Sequence, residues 1–120
     1  MSADNDRTVA VLQRYFDALD ASDFEIAAEQ FAKDVTYLHP PMYGDETRID
    51  GRDALREFFV ETRGETDSLH HVDRWLEGAD GVSAVGHVTP RDGDERLDTF
   101  VSYAEVVDGK ITYYAAGLVG

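Results

Sequence analysis

Between residues 8 and 21, Leu12, Tyr15, Phe16 and Leu19 recur at intervals of three and four with charges between them, the spacing of an amphipathic helix. Ser22 followed three residues later by Glu25 reads as a capping box and starts a second helix. Its inward face would be Phe24, Ala27, Ala28 and Phe31. The period then switches to two: Val35, Tyr37 and His39 alternate with Thr36 and Leu38 in a short strand that Pro40-Pro41 stops. Residues 42–51 read as a polar loop, and residues 53–62 as a third helix with Leu55, Phe58 and Phe59 inward.

Beyond Gly64 the punctuation is regular. Asp80-Gly81, Asp92-Gly93 and Asp108-Gly109 suit hairpin turns and separate four runs, residues 68–77, 82–89, 96–107 and 110–119. Three hairpin signals in succession make an antiparallel meander. Three helices followed by a meander define an α+β fold, with helices on one face of a sheet. Runs of this length require strong twist and curvature. Nothing resembles a linker, a repeat or a low-complexity segment. The expected organisation is a flexible N-terminus over residues 1–7 and a single domain over residues 8–120.

Composition narrows the function. Eleven basic against 25 acidic residues leave a net charge of −14, which repels phosphate backbones and anionic lipid. Neither a nucleic-acid nor a membrane partner is expected. The chain has no cysteine, so disulfides, thiolate metal sites and cysteine nucleophiles are excluded. Its 16 Asp, 9 Glu, 9 Arg and 2 Lys match the surfaces of proteins from salt-loving cells, where short Debye lengths make self-repulsion tolerable. No apolar run approaches the roughly 18 residues of a membrane span, and the first six residues are no signal peptide. A cytoplasmic protein is the expectation.

Three stretches carry a resemblance: VLQRYFDALDASDFEIAAEQFAKDVTYLHPP, IDGRDALREFF and VVDGKITYYAAG. In this order and spacing the chain resembles the nuclear transport factor 2-like superfamily, particularly its SnoaL-like and ketosteroid-isomerase-like enzymes. The resemblance implies a cone-shaped open barrel whose sheet wraps a mostly apolar pocket capped by helices. It also implies a homodimer through the outer sheet face. The fold hosts isomerases, dehydratases, cyclases, epoxide hydrolases and noncatalytic binding proteins, so it does not fix function.

Tyr15 lies on the apolar stripe of the first helix, and its buried hydroxyl needs a partner, from the protein or from a ligand. By resemblance it matches the tyrosine that donates to the oxyanion in ketosteroid isomerases. His39, just before a proline, stands where those enzymes carry an aspartate base. That departure speaks against steroid isomerisation, yet a histidine serves as a base near neutrality. A capped, structural ring is the other reading of His39. If Thr89 pairs with Arg96 across the Asp92-Gly93 turn, His87 lies opposite Asp98, within side-chain reach. The pair would resemble the aspartate and histidine of SnoaL-like cyclases; a one-residue slip would separate them. His70 and His71 alternate faces, so one of them lines the pocket, and by resemblance His70 matches the base of dehydratase-like relatives. Trp75 reads as a core or dimer-face anchor, and Asp73 and Arg74 as solvated charges.

The sequence lacks HxH, HExxH and DxDxDG motifs, a GxSxG elbow, a Walker loop and a GxGxxG turn. No metal and no cofactor are expected. The leading reading is a cofactor-free acid/base enzyme of isomerase, dehydratase or cyclase type, acting on a small apolar carbonyl or hydroxyl compound. Tyr15, His39, His87, Asp98 and His70 are its candidate catalytic residues, and Val35, Tyr37, Phe58, Phe59 and Phe100 its candidate walls. The alternative is a noncatalytic small-ligand-binding or protein-interaction module of the same fold.

Overall fold

In the computed structural model, which describes residues 3–42 and 44–119, the chain begins with helix α1, Ala3–Asp20. Residues 3–7, expected as a flexible lead-in, are therefore helical. Met1, Ser2, Tyr43 of the expected loop and Gly120 lie outside the described residues. The stripe of α1 is buried as its spacing requires, with Leu12, Tyr15 and Phe16 at most 2% exposed.

The second helix, α2, spans Phe24–Glu29, and its cap is Asp23, whose carboxylate accepts from Ile26 N–H at 3.2 Å. Ser22 is not the cap. It closes α1 in a left-handed conformation (φ 58°), with Ser22 N–H bonding Leu19 C=O and Asp23 N–H bonding Ala18 C=O. That is a Schellman ending, which commits Ser22 to the first helix and leaves the cap to its neighbour. Phe31, expected on the helix face, opens strand β1 (Phe31–Leu38) because its backbone pairs with Ile111. It is nonetheless completely buried.

The expected loop contains a three-residue strand, β2 (Arg48–Asp50), antiparallel to β1 with Ile49 turned inward against Tyr37. Helix α3 (Arg52–Glu57) continues into a π-helical turn, Phe58–Arg63. Gly64, at φ 63°, ends it in a conformation that favours glycine. The meander follows as β3 (Ser68–Glu77), β4 (Val82–Pro90), β5 (Asp98–Val107) and β6 (Lys110–Val119). The sheet runs β2-β1-β6-β5-β4-β3; β1 and β6 are parallel and every other pair antiparallel. Register shifts in three of these pairings bend it around the helices without closing it.

Gly86 fixes the floor of the concave side. It pairs with Phe100, whose ring lies across it; an added Cβ would overlap the His71 carbonyl oxygen and come within 2.7 Å of the ring. Gly86→Ala should therefore cost about 2–3 kcal/mol or more, whereas Gly117→Ala, with nothing within 4 Å, should stay within about 0.5 kcal/mol. Urea unfolding of the two variants beside the parent checks this; equal losses would contradict it.

Candidate functional site

The concave side holds a cavity of about 110 Å³ walled by Tyr15, Phe16, Leu19, Tyr37, His39, Pro40, Met42, Phe58, Arg63, His70, Phe100, Tyr114 and the end of β6. Tyr15, Tyr37, His39, His70, Phe58 and Phe100 of the sequence-derived candidates thus meet in one place. Val35 and Phe59 do not line it. Both are completely buried in the core, where Phe59 packs on Phe24, Phe31 and Tyr15. A wider cleft of about 350 Å³ lies beyond His39 and Phe58, bordered by Glu46, Glu57 and Glu61, but neither His70 nor Tyr15, Tyr37 or Tyr114 lines it.

Tyr15 finds its partner in another side chain, Tyr37, at 2.8 Å between hydroxyl oxygens. Tyr114 stacks on Tyr37 with ring centres 4.8 Å apart and meets Tyr15 edge-on. Burial, reinforced by the neighbouring phenols, pushes the Tyr15 and Tyr114 hydroxyls well above the ordinary tyrosine range. The nearby Arg63 charge opposes this, and for Tyr114 so do the Ser102 and Tyr15 hydroxyls. Both hydroxyls consequently stay protonated, as neutral donors, at any ordinary pH.

His39 stands at the end of β1, 9% exposed and stacked on Phe58 at 4.8 Å. Its Nδ1 lies 2.7 Å from the Pro40 carbonyl oxygen. A carbonyl only accepts, so Nδ1 carries the proton and Nε2 the lone pair in the neutral ring.

His70 is held more firmly. Asp20, the last residue of α1, accepts from His70 N–H at 2.8 Å and from His70 Nδ1 at 2.6 Å, one carboxylate oxygen each. The two side chains are only 12% and 18% exposed, so water competes weakly for these bonds. Phe16 stacks on the imidazole and Phe100 meets it edge-on, which fixes the ring plane. This Asp–His dyad fixes the tautomer, so that in the neutral ring Nδ1 carries the proton and Nε2 the lone pair. Sequence reading missed Asp20, although a signal existed: a carboxylate in the last turn of a helix opposes the dipole and invites a search for its partner.

His87 and Asp98 are not brought together. The connection from Pro90 to Asp98 is longer than a tight turn at Asp92-Gly93, and the register pairs Val88 with Asp98 and His87 with Thr99. The slip of one residue turns the two side chains to opposite faces, and Asp98 is exposed at the sheet rim. On the outward face His87 Nδ1 bonds Asp73 at 2.8 Å, because the β3 irregularity between Val72 and Arg74 adds Asp73 as an extra residue. The His87 hydrogen bond, with help from Arg96, holds the Asp73 carboxyl below the usual range. Asp73 is thus more than a solvated charge. His71 shares that outward face, bonding Thr89 at 2.8 Å and stacking on His87. Trp75 packs against the core. Among the described residues no three His, Asp or Glu side chains are grouped to hold a metal ion, and no helix is long and apolar enough to cross a membrane.

A helix-capped, strongly curved open sheet around a pocket of aromatic rings, hydroxyls and histidines is the architecture of nuclear transport factor 2-like proteins. The family model for the SnoaL-like domain matches residues 12–114, and the chain belongs to that family. It is similar to a candidate ketosteroid isomerase of Kribbella flavida DSM 17836, 31% identical, covering 98% of this chain and 81% of that one with a TM-score of 0.76. An LEH-like epoxide hydrolase of M. tuberculosis shares the fold at 17% identity, covering 96% of this chain and 84% of that one, TM-score 0.76. So does a candidate polyketide cyclase of Sinorhizobium meliloti at 18% identity, covering 90% and 94%, TM-score 0.72. No curated protein matches.

The buried tyrosines set a pH limit on stability. Above about pH 10 the unfolded chain loses phenolic protons that folded Tyr15 and Tyr114 retain, so stability is constant below that point and falls above it. Each tyrosine should contribute a slope of about 1.4 kcal/mol per pH unit. Tyr114→Phe should remove one such contribution, read from urea midpoints between about pH 8 and 11.

Proposed function

We propose that this protein is a cofactor-free acid–base enzyme of isomerase, dehydratase or cyclase type, acting on a small apolar carbonyl or hydroxyl compound. The observation that carries this reading is the Asp20–His70 dyad set in the same cavity as the Tyr15–Tyr37 hydroxyl pair. A carbonyl oxygen held by the tyrosine hydroxyls would gain negative charge as a neighbouring C–H proton leaves. His70 Nε2 would take that proton, and Asp20 would hold the tautomer and face the imidazolium that forms. Returning the proton to another carbon isomerises a double bond; delivering it to a hydroxyl expels water. His39 is a second acid–base candidate in the same wall, and Tyr37, Phe58 and Phe100 exclude water around the reacting atoms.

The alternative, a noncatalytic small-ligand-binding module, draws support from one fact: Tyr15, His39 and His70 each already have a partner within the protein. Deuterium exchange at the carbon next to the carbonyl of small cyclic enones, followed by NMR, separates the two. The enzyme reading expects exchange that His70→Gln slows about 10²–10⁴-fold and Asp20→Asn about 10–100-fold. Enones that raise the melting temperature without any catalysed exchange would sink it in favour of the binding module.

We further propose a cytoplasmic protein working in concentrated salt as a homodimer through the outer sheet face. In support, that face carries Val101 and Val119, exposed as diagonal neighbours on β5 and β6. Sedimentation in about 1 M salt, where the Debye length is about 3 Å, should give twice 13.4 kDa. Val101→Glu should give the monomer. A parent protein that sediments as a monomer at this salt would remove the dimer from the proposal.

A further inference from the structure

The lining of the cavity sorts by charge. Among the described residues no Asp or Glu lines it, and Asp20 reaches it only through His70. Each ionisable or hydroxyl side chain that does line it, from Tyr15, Tyr37 and Tyr114 to His39, His70 and Arg63, can donate a proton or a hydrogen bond.

Arg63 is the one permanent cation in this wall. The π-helical turn places it there as its last residue, and one of its N–H groups (Nη1) donates to the Gly64 carbonyl at 3.1 Å. Among the described residues no carboxylate lies within ion-pair distance of Arg63; other arginines also lack one, but of these Arg63 is the one that lines the cavity. A guanidinium presents five N–H groups in a rigid fork that matches a carboxylate with two parallel bonds. Partly buried beside aromatic rings, its charge is costly without an anion. The long-range field cannot supply one, because a net charge of −14 repels anions. Selectivity for an anion would have to come from the fork itself.

We propose that the ligand of this cavity is a small monocyclic carboxylate, its charge on Arg63 and its ring between Phe16, Phe58 and Phe100. Size limits the ligand to one small ring: a cavity of about 110 Å³ falls short of the roughly 150 Å³ that holds benzene, so side chains at its rim must give way as the ring enters. The proposal deepens the acid–base reading and rests on it only for turnover. Anchoring the carboxylate at Arg63 leaves the rest of the ring for His70 and the tyrosines.

Benzoate and its neutral isostere benzamide are the probes, titrated calorimetrically into the whole chain in about 1 M salt, where the repulsive field is screened to about 3 Å. The parent should bind benzoate at least tenfold more tightly than benzamide. Arg63→Gln should equalise the two, and Arg63→Lys, which keeps the charge without the fork, should retain part of the preference. In the unmutated protein the Arg63 Nε resonance should shift with benzoate and not with benzamide, a readout that no misfolded variant can obscure. No benzoate binding, equal binding of the two probes, or an unchanged preference in Arg63→Gln overturns the proposal. A retained benzoate preference in a protein whose exchange chemistry ignores His70 would overturn the enzyme reading alone. Lost preference with His70-dependent exchange would overturn the carboxylate alone.

Discussion

Asp20 stands where the dipole of α1 disfavours a carboxylate by about 0.3–1 kcal/mol, yet both of its oxygens are occupied by β3. One accepts the His70 backbone N–H, the other its ring Nδ1. Charge-assisted bonds of this kind contribute about 1.5–3 kcal/mol each, enough to outweigh the unfavourable terminus. Their structural effect exceeds their energy. The sheet is open, with β3 at the edge opposite β2, and no strand pairs with the far side of β3. The Asp20 carboxylate pins that edge to the end of the first helix, and the cavity lies in the angle between them. One side chain therefore both ties the end of α1 to the edge strand and orients the imidazole.

A second constraint is the separation of acids from the concave face. A chain with 25 carboxylates has ample means to line a cavity with negative charge, and the neighbouring cleft beyond His39 and Phe58 shows what that looks like, with Glu46, Glu57 and Glu61 along it. The Phe58–His39 stack divides the two spaces. On one side carboxylates meet solvent; on the other, phenols are buried deeply enough that ionisation is suppressed. Neutral donors in a dry, aromatic setting stabilise developing negative charge without needing to reorganise.

The fold was legible in the sequence wherever the signal was local. Asp80-Gly81 and Asp108-Gly109 mark true hairpins, and the runs they separate became β3, β4 and β6 to within a residue. Misreadings arose where two motifs compete for one residue or where pairing decides. Ser22 has the spacing of a cap, but the closing of α1 claims it first. The three residues of β2 are too few to show a period and exist because β1 offers them an edge. His87 and Asp98 depended on a register that turn residues alone do not fix. His70 and Tyr15 could be placed on inward faces from periodicity. Their partners Asp20 and Tyr37 lie 50 and 22 residues away, and no local rule joins them.

The polar groups of the cavity are bonded to one another, and this need not argue against chemistry, because an internal bond to one ring nitrogen fixes the tautomer of an imidazole. An imidazole whose Nδ1 proton is taken by Asp20 presents its basic nitrogen on the opposite side of the ring, and the Pro40 carbonyl fixes the His39 tautomer in the same way. Internal bonds of this kind fix tautomer and direction in advance, which is what a proton-transfer site requires and a purely apolar binding site does not. Gly86 adds the same order to the floor, since a ring lying flat over a glycine has little freedom to move. The rigidity that stabilises the concave face also sets the angles at which a small ligand would meet Nε2, a hydroxyl and a guanidinium. A cavity built only to be filled would have no use for three polar groups so differently held.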